Sequence, residues 1–403
     1  MTAQPNTPQK KRPTVALQKD GHRRIRQGHP WAYSNEIQME AHIKALPAGT
    51  IVRLTDAGGT PIGTAAFNPH TLIAARMLSP DPGAAIDQAF LEQRLQAALA
   101  LREKLHDKPF YRLIHAEADR LPALVVDRYG DVVVAQANAA WIDGLKDELV
   151  AAIEAVLAPA AIVLRNDSPA RQTEGLGSEV AVVKGTVDAL VRIEENGAAF
   201  FADVREGQKT GWFFDQRDNR AFMADLARGA RVIDCYTYAG GFGVLAAVRG
   251  AAHVTLVDRS AHSLDLAAKA AEANGVADRC EMRKADVFEE LERLVQKQER
   301  FDVVICDPPA FVKSKKELAS GAKGYRKLAR LGAQVTARGG FLFMASCSHN
   351  VDPELFAEQV ARGLSDAGRT GRIVRASGAG ADHPVHPNLP ESAYLKAQIL
   401  QLD

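Results

Sequence analysis

Cysteine is scarce in this sequence, and its four copies, Cys235, Cys280, Cys306 and Cys347, stand far apart. With no C-x-x-C pair among them, neither a zinc site nor a disulfide framework is expected, and a functional cysteine would act alone as a thiol. No metal is assigned. Long apolar runs are also lacking, since no stretch approaches the roughly 18 apolar residues of a membrane span. The basic triplet Lys10, Lys11 and Arg12 has no apolar segment behind it that would make a signal peptide. A cytoplasmic protein without membrane contact is therefore expected. Excess charge is missing too: a formal net charge of +1 excludes a polycation, so any grip on nucleic acid must come from local asymmetry. Such asymmetry lies at the start, where Lys10, Lys11, Arg12, Lys19, Arg23, Arg24 and Arg26 face only Asp20. Arg23 and Arg24 are candidates for phosphate contact, with a solvated tail as the plainer alternative.

What is present has the proportions of a globular protein, 46% apolar and 25% charged over 403 residues, which is more chain than one core usually holds. The expected fold class is multidomain α/β. Residues 1–14 are polar and aperiodic and read as a disordered basic arm. Residues 15–85 hold short β-type segments separated by turns such as Ala57-Gly58-Gly59-Thr60 and Asn68-Pro69, a small β-barrel. Residues 86–205 alternate helical and strand patterns as a central α/β domain, closing on a hairpin that turns at Asn196-Gly197. From residue 206 to 403 the strands RVIDCY, HVTLVD, FDVVICD and GGFLFMASC are continuous apolar runs between helices. Such runs suit the centre of a doubly wound parallel sheet, whose ligands gather at the strands' carboxyl ends.

The segment from Asp234 to Gly243 links the first of these strands to a helix, and the next strand ends in Asp258. Glycines there let backbone approach a ligand, and an acid ending the second strand can hold both hydroxyls of a ribose. Asp234, Tyr236, Gly240, Gly241, Asp258 and its neighbour Arg259 are thus candidates for binding an adenosine cofactor. The glycine spacing is not the dinucleotide fingerprint G-x-G-x-x-G, which favours S-adenosyl-L-methionine over a nicotinamide cofactor. One strand later, Asp286 could accept from the adenine amine, or could simply cap a helix.

Asp307-Pro308-Pro309-Ala310-Phe311 ends an apolar strand, where two prolines stop the ladder. Such a loop can present an acid to a planar base, with the Pro308-Pro309 pair and the Phe311 ring against it, so Asp307 is a candidate for both cofactor contact and catalysis. The neighbouring strand ends at Cys347, placing the thiol beside Asp307. Carbon 5 of cytosine is a poor nucleophile, and a thiolate added at carbon 6 makes it a good one. Cys347 and Asp307 are the expected catalytic pair. Cys306 points to the opposite face and reads as core; Cys235 and Cys280 receive no role, and His349 reads as a polar loop residue. Lys313, Lys315 and Lys316 follow Phe311 and could hold phosphates flanking the target.

With these residues in view, the chain resembles the bacterial family of 23S ribosomal RNA 5-methylcytosine methyltransferase I. The stretches that carry the likeness are His29-Pro30-Trp31, Phe67-Asn68-Pro69-His70, residues 121–129, Glu206-Gly207-Gln208-Lys209-Thr210-Gly211, residues 215–220, the DPPAF loop, Ser346-Cys347-Ser348, Asp382-His383-Pro384 and Tyr394-Leu395-Lys396. The resemblance implies an N-terminal PUA domain over 15–85, an RNA-binding-like central domain and a Rossmann-like methyltransferase domain over 206–403. It implies S-adenosylmethionine contacts from Gln216 and Arg217, and 23S ribosomal RNA or a large-subunit assembly particle as partner, with a homodimer by analogy. Related two-cysteine enzymes carry a second cysteine after the Pro-Pro pair, where this chain has Ala310. The chain also has Cys235-Tyr236-Thr237-Tyr238-Ala239 where Leu-Phe-Ser-Tyr-Thr is more common, and Ala116-Glu117-Ala118-Asp119-Arg120 where Gly-Glu-Ser-Asp-Gly is usual.

Three other readings remain at this level. A guanine-N-methylating ribosomal RNA methyltransferase of the same architecture would need no nucleophilic cysteine. A non-catalytic, S-adenosylmethionine-binding assembly factor would not need Asp258, Asp307 and Pro308 intact together. A small-molecule methyltransferase would leave the basic arm, the barrel and the lysine cluster without purpose.

Overall fold

Five short strands build the first sheet of the computed structural model, which describes residues 12–403. They are β1 (Thr14–Ala16), β2 (Trp31–Tyr33), β3 (Thr50–Thr55), β4 (Pro61–Phe67) and β5 (Ile73–Ser79), in the order β1-β3-β4-β5-β2. Their inward positions, among them Val15, Val52, Leu54, Ala65, Phe67 and Ala75, make one buried cluster, as period-2 alternation requires. Most of the expected disordered arm, Lys10 and Lys11 included, lies outside the described residues. Its last part is ordered, because Arg12 donates to Thr64 Oγ1 and the Ala84 carbonyl, both at 2.9 Å, and Thr14 already begins β1.

A second sheet, ordered β10-β9-β8-β7-β6, contains β6 (Phe110–His115), β7 (Leu124–Tyr129), β8 (Val132–Ala137), β9 (Ala161–Asn166) and β10 (Glu179–Lys184). The helices Gln88–Leu105 and Lys146–Leu157 pack their apolar sides on it. Between the first and second sheets lies a buried polar junction. Arg76 bridges Glu117 at 3.0 Å and Glu174 at 3.2 Å, Trp31 Nε1 donates to Glu117 at 2.8 Å, and Asn68 donates to Glu174 at 2.9 Å. Buried charges persist only when paired in this way. The His29-Pro30-Trp31 and Phe67-Asn68-Pro69-His70 stretches therefore serve cohesion here.

The hairpin of β11 (Val191–Glu195) and β12 (Ala198–Ala202) turns at Asn196 and Gly197 with φ of 54° and 82°, the primed-turn geometry that suits a hairpin. The last sheet has seven strands: β13 (Arg231–Cys235), β14 (His253–Asp258), β15 (Cys280–Lys284), β16 (Phe301–Cys306), β17 (Thr336–Ser346), β18 (Gly371–Ser377) and β19 (Lys396–Leu402). They are ordered β15-β14-β13-β16-β17-β19-β18, with β19 alone antiparallel to its neighbours. The order runs outward in both directions from β13 and β16, which creates a crevice at their carboxyl ends.

By its packing the chain divides into two compact units, one reaching to Val187 and including Pro384–Ser392, the other comprising Asp188–His383 and Ala393–Asp403. The β11–β12 hairpin, a two-stranded sheet of its own, therefore belongs to the second unit, whereas the sequence reading assigned it to the central region ending at residue 205. Apolar content alone could not tell which unit would adopt it. No described helix is long and apolar enough to cross a membrane.

Candidate active site

The loop after β13 is folded on itself. Tyr236, Tyr238 and Gly240 all have left-handed φ, at 63°, 50° and 80°. At Gly240 a Cβ would also lie 2.8 Å from Val244 Cγ2, so glycine is required by packing on the helix Gly241–Val248. At Gly241 a Cβ would meet Arg220 Nε at 2.6 Å. The two glycines thus admit the protein's own side chains. Asp234 is buried, and its Oδ2 accepts from Gly243 N at 2.8 Å and Thr237 Oγ1 at 2.6 Å. Burial lifts its carboxyl to about 6 against those hydrogen bonds. Asp234 consequently shapes the loop.

Asp258 has a different posture. Its Oδ2 accepts from Tyr238 N at 3.1 Å and its Oδ1 from Ser260 N at 2.9 Å, and it is only half-buried. Each carboxylate oxygen has a further lone pair, so a vicinal diol can bind without displacing the backbone. Asp286 is exposed and caps the helix Val287–Gln296, its Oδ1 accepting from Phe288 N at 2.9 Å and Glu289 N at 3.3 Å. The capping alternative therefore holds, with Oδ2 still available to an amine. Arg220 Nε is buried and has no hydrogen-bond partner among the described residues. An anchored diol acceptor, a free carboxylate oxygen and a buried cation at one sheet edge fit S-adenosylmethionine.

Asp307 follows β16 in the same crevice. Burial first, then the charge of Asp215, raises its carboxyl to about 7, against the pull of Arg220 and a hydrogen bond donated by Gln216. Gln216 is fixed from its other end, because its Oε1 accepts from Asn219 Nδ2 at 2.7 Å. Sequence resemblance gave Gln216 to the cofactor; its amide here is engaged with Asp307. Arg217 lies 3.7 Å from Glu195, which also holds Arg220 at 2.7 Å.

Cys347 follows β17 directly, and β16 and β17 are parallel neighbours with Cys306 opposite Met344. Burial raises the Cys347 thiol; Lys209 opposes that rise, and Asp307 and Asp215 add to it. The serines on either side are pinned: Ser346 Oγ donates to Tyr325 Oη at 2.8 Å, and Ser348 Oγ shares a 2.9 Å hydrogen bond with the same hydroxyl. Val312 N donates to Ser348 Oγ at 3.3 Å. One tyrosine from the helix Leu318–Val335 thereby fixes the cysteine loop against the DPPAF loop. Cys306 is fully buried in the core, as strand parity requires.

Other expected contacts are placed elsewhere. The Phe311 ring packs on Tyr325, centroids 4.8 Å apart, and on Phe288 at 6.0 Å, so it braces the loop. Pro308 is buried and Pro309 exposed; Lys313, Lys315 and Lys316 are all exposed beyond them. Arg24 makes a two-pronged pair with Glu36 at 2.8 and 3.0 Å and lies over the Tyr33 ring, which engages it within the first unit. Arg23 pairs on the surface with Asp20 at 3.0 Å. Arg259 is exposed directly after β14, and Tyr236 contributes its left-handed backbone.

Sequence reasoning missed Tyr325, Asp215 and Lys209 as contributors. The first is far from Cys347 along the chain and carries no local motif. The other two stand in stretches that carried the family likeness, which was the only available signal.

Residues 177–399 match the family described as S-adenosylmethionine-dependent methyltransferase, and residues 15–80 match the PUA-like domain. The second unit is thus an S-adenosylmethionine-dependent methyltransferase, preceded in the chain by a PUA-like domain. The chain is 35% identical over 393 residues to ribosomal RNA large subunit methyltransferase I of Alteromonas mediterranea, covering 96% of this chain and 98% of that one. It is 34% identical over 387 residues to the protein of the same name from Escherichia coli O157:H7, covering 95% and 97%. The chain belongs to the family of these ribosomal RNA large subunit methyltransferases. In fold it is similar to a Streptococcus mutans protein solved as a candidate SAM-dependent methyltransferase, with a TM-score of 0.82, 23% identity, and 96% and 100% of the two chains covered.

Proposed function

We propose that this protein methylates carbon 5 of a cytosine in large-subunit ribosomal RNA through a transient bond between Cys347 and carbon 6. The observation that carries the reading is the pairing, at the ends of adjacent strands, of a cysteine whose flanking serines are bonded to Tyr325 and a carboxyl that burial raises to about 7. Bound S-adenosylmethionine supplies an electrophilic methyl group. Cys347 as thiolate adds to carbon 6, the carbon 5–carbon 6 π bond opens, and the electron density moves through the ring toward N3. A protonated Asp307 donates a hydrogen bond at N3 and lowers the cost of that charge. After carbon 5 has gained its methyl group it gives up its proton to water, the electrons of that C–H bond re-form the carbon 5–carbon 6 double bond, and the thiolate leaves carbon 6. A base inside structured RNA must be flipped out to reach this crevice, and Lys313, Lys315 and Lys316 are suited to the flanking phosphates. Asp258 and Asp286 are the proposed ribose and adenine contacts.

The test is transfer of labelled methyl to large-subunit ribosomal RNA lacking its native modifications, with the product nucleoside identified by mass. Wild type is expected to yield 5-methylcytidine, and Cys347→Ala to lose at least a thousandfold in rate. A methylguanosine product, or a Cys347→Ala variant within tenfold of wild type, would replace this reading with the guanine-N one.

A further inference from the structure

The Tyr394-Leu395-Lys396 stretch has no part in the chemistry described so far. Lys396 opens β19, opposite Ser346 in the antiparallel register, and is buried, with 8% exposure. Its Nζ donates to the carbonyls of Ser348 and Tyr394, both at 2.7 Å. Burying an ammonium costs several kcal/mol unless nearby groups repay it, and two neutral carbonyls could be satisfied by an uncharged donor. The residue between Ser346 and Ser348 is Cys347. Burial depresses Lys396, and negative charge on Cys347 and Asp352 offsets this.

The surroundings of the thiol are otherwise unhelpful to an anion. Asp307 and Asp215 oppose its ionisation, and Lys209 favours it. Lys209 is exposed, with its Nζ 4.8 Å from the Phe213 ring centroid, where salt screens its field. Tyr325 meets the thiolate only as a neutral hydroxyl, through the two serines. Lys396 is a buried cation whose Nζ is bonded to the carbonyl of Ser348, the residue that follows Cys347.

We infer that Lys396 is a positioning residue for Cys347: its ammonium ties the Ser348 and Tyr394 carbonyls, holds the sulfur at the end of β17, and stabilises the thiolate formed when the thiol gives its proton to solvent. This role rests on the covalent reading for its purpose, and its test does not use methyl transfer. The experiment is alkylation of Cys347 by iodoacetamide across pH in the full chain carrying Cys280→Ser, followed by mass spectrometry. Lys396→Gln keeps a donor for the carbonyls and removes the charge, and Lys396→Arg keeps the charge. The glutamine variant is expected to move the midpoint of alkylation up by about one pH unit and to slow it about tenfold at neutral pH. The arginine variant should stay within about threefold of wild type. An unmoved midpoint in Lys396→Gln overturns the inference even if methyl transfer is lost. A second measurement needs no substitution: in wild type the midpoint should hold steady as salt is raised to about 1 M. A shift of about one unit would assign the thiolate to the exposed Lys209 and also overturn the inference. Methyl transfer by Cys347→Ala reports separately on the covalent reading.

Discussion

Asp307 shows most clearly what a single side chain contributes and costs. With its folded carboxyl raised to about 7 from the usual 3.8, the native state binds a proton that the unfolded chain has already released between those values. Stability therefore falls as pH rises from about 4 to 7, at up to about 1.4 kcal/mol per unit, and then levels off. Asp307→Asn removes this penalty: the variant should be more stable than wild type in urea denaturation at pH 8, by at least about 1 kcal/mol, and nearly equal to it at pH 4. Activity should fall in the same variant. An equal effect at both pH values would mean that Asp307 ionises as an ordinary carboxyl. At this scale the sequence disclosed the acids that end strands, since strand ends can be read from apolar runs. It did not disclose what each acid touches. Asp234 turned to its own loop and Asp286 to a helix N-terminus, the capping alternative the sequence had left open, whereas the engagement of Gln216 with Asp307 depends on a neighbour distant in sequence.

Among the elements, the helix Leu318–Val335 does the most to assemble the crevice, through Tyr325. Its hydroxyl takes part in hydrogen bonds with both serines that flank Cys347, and its ring supports Phe311. Tyr325→Phe keeps the ring and frees the serines. The expected result is a stability loss of about 1–2 kcal/mol and a kcat about tenfold lower, with KM for S-adenosylmethionine within about twofold. A changed KM with unchanged kcat would show that the tyrosine serves the cofactor side instead. The central strands β13, β14, β16 and β17 were legible as apolar runs. β18 was not, because Gly371–Ser377 is largely exposed at the edge of the sheet and lacks the run that marks a covered strand. The β11–β12 hairpin was legible as a hairpin from Asn196-Gly197 and misassigned only in its allegiance.

For the whole molecule, the first unit depends on the junction around Arg76. Removing that charge in Arg76→Met leaves Glu117 and Glu174 buried without their cation, a loss of about 3–5 kcal/mol. Urea denaturation followed through Trp31 and Trp141, with Trp212 replaced by Phe, should show this unit unfolding at lower denaturant. An unchanged midpoint would mean that the junction is hydrated and inexpensive to break. That the chain holds more than one domain was legible from length and pattern, and its packing divides it into two compact units. The seam inside the first unit was not, since its five polar residues come from four separate stretches of the chain. The sheet order has a further consequence, one of timing. β19 lies between β17 and β18 although it follows both in sequence, so β18 has no edge to join until those later residues have left the ribosome. The same strand brings Lys396. During synthesis the Cys347 loop must therefore wait, with two strand edges open to mispairing, and protection of those edges by a chaperone would matter most in that interval.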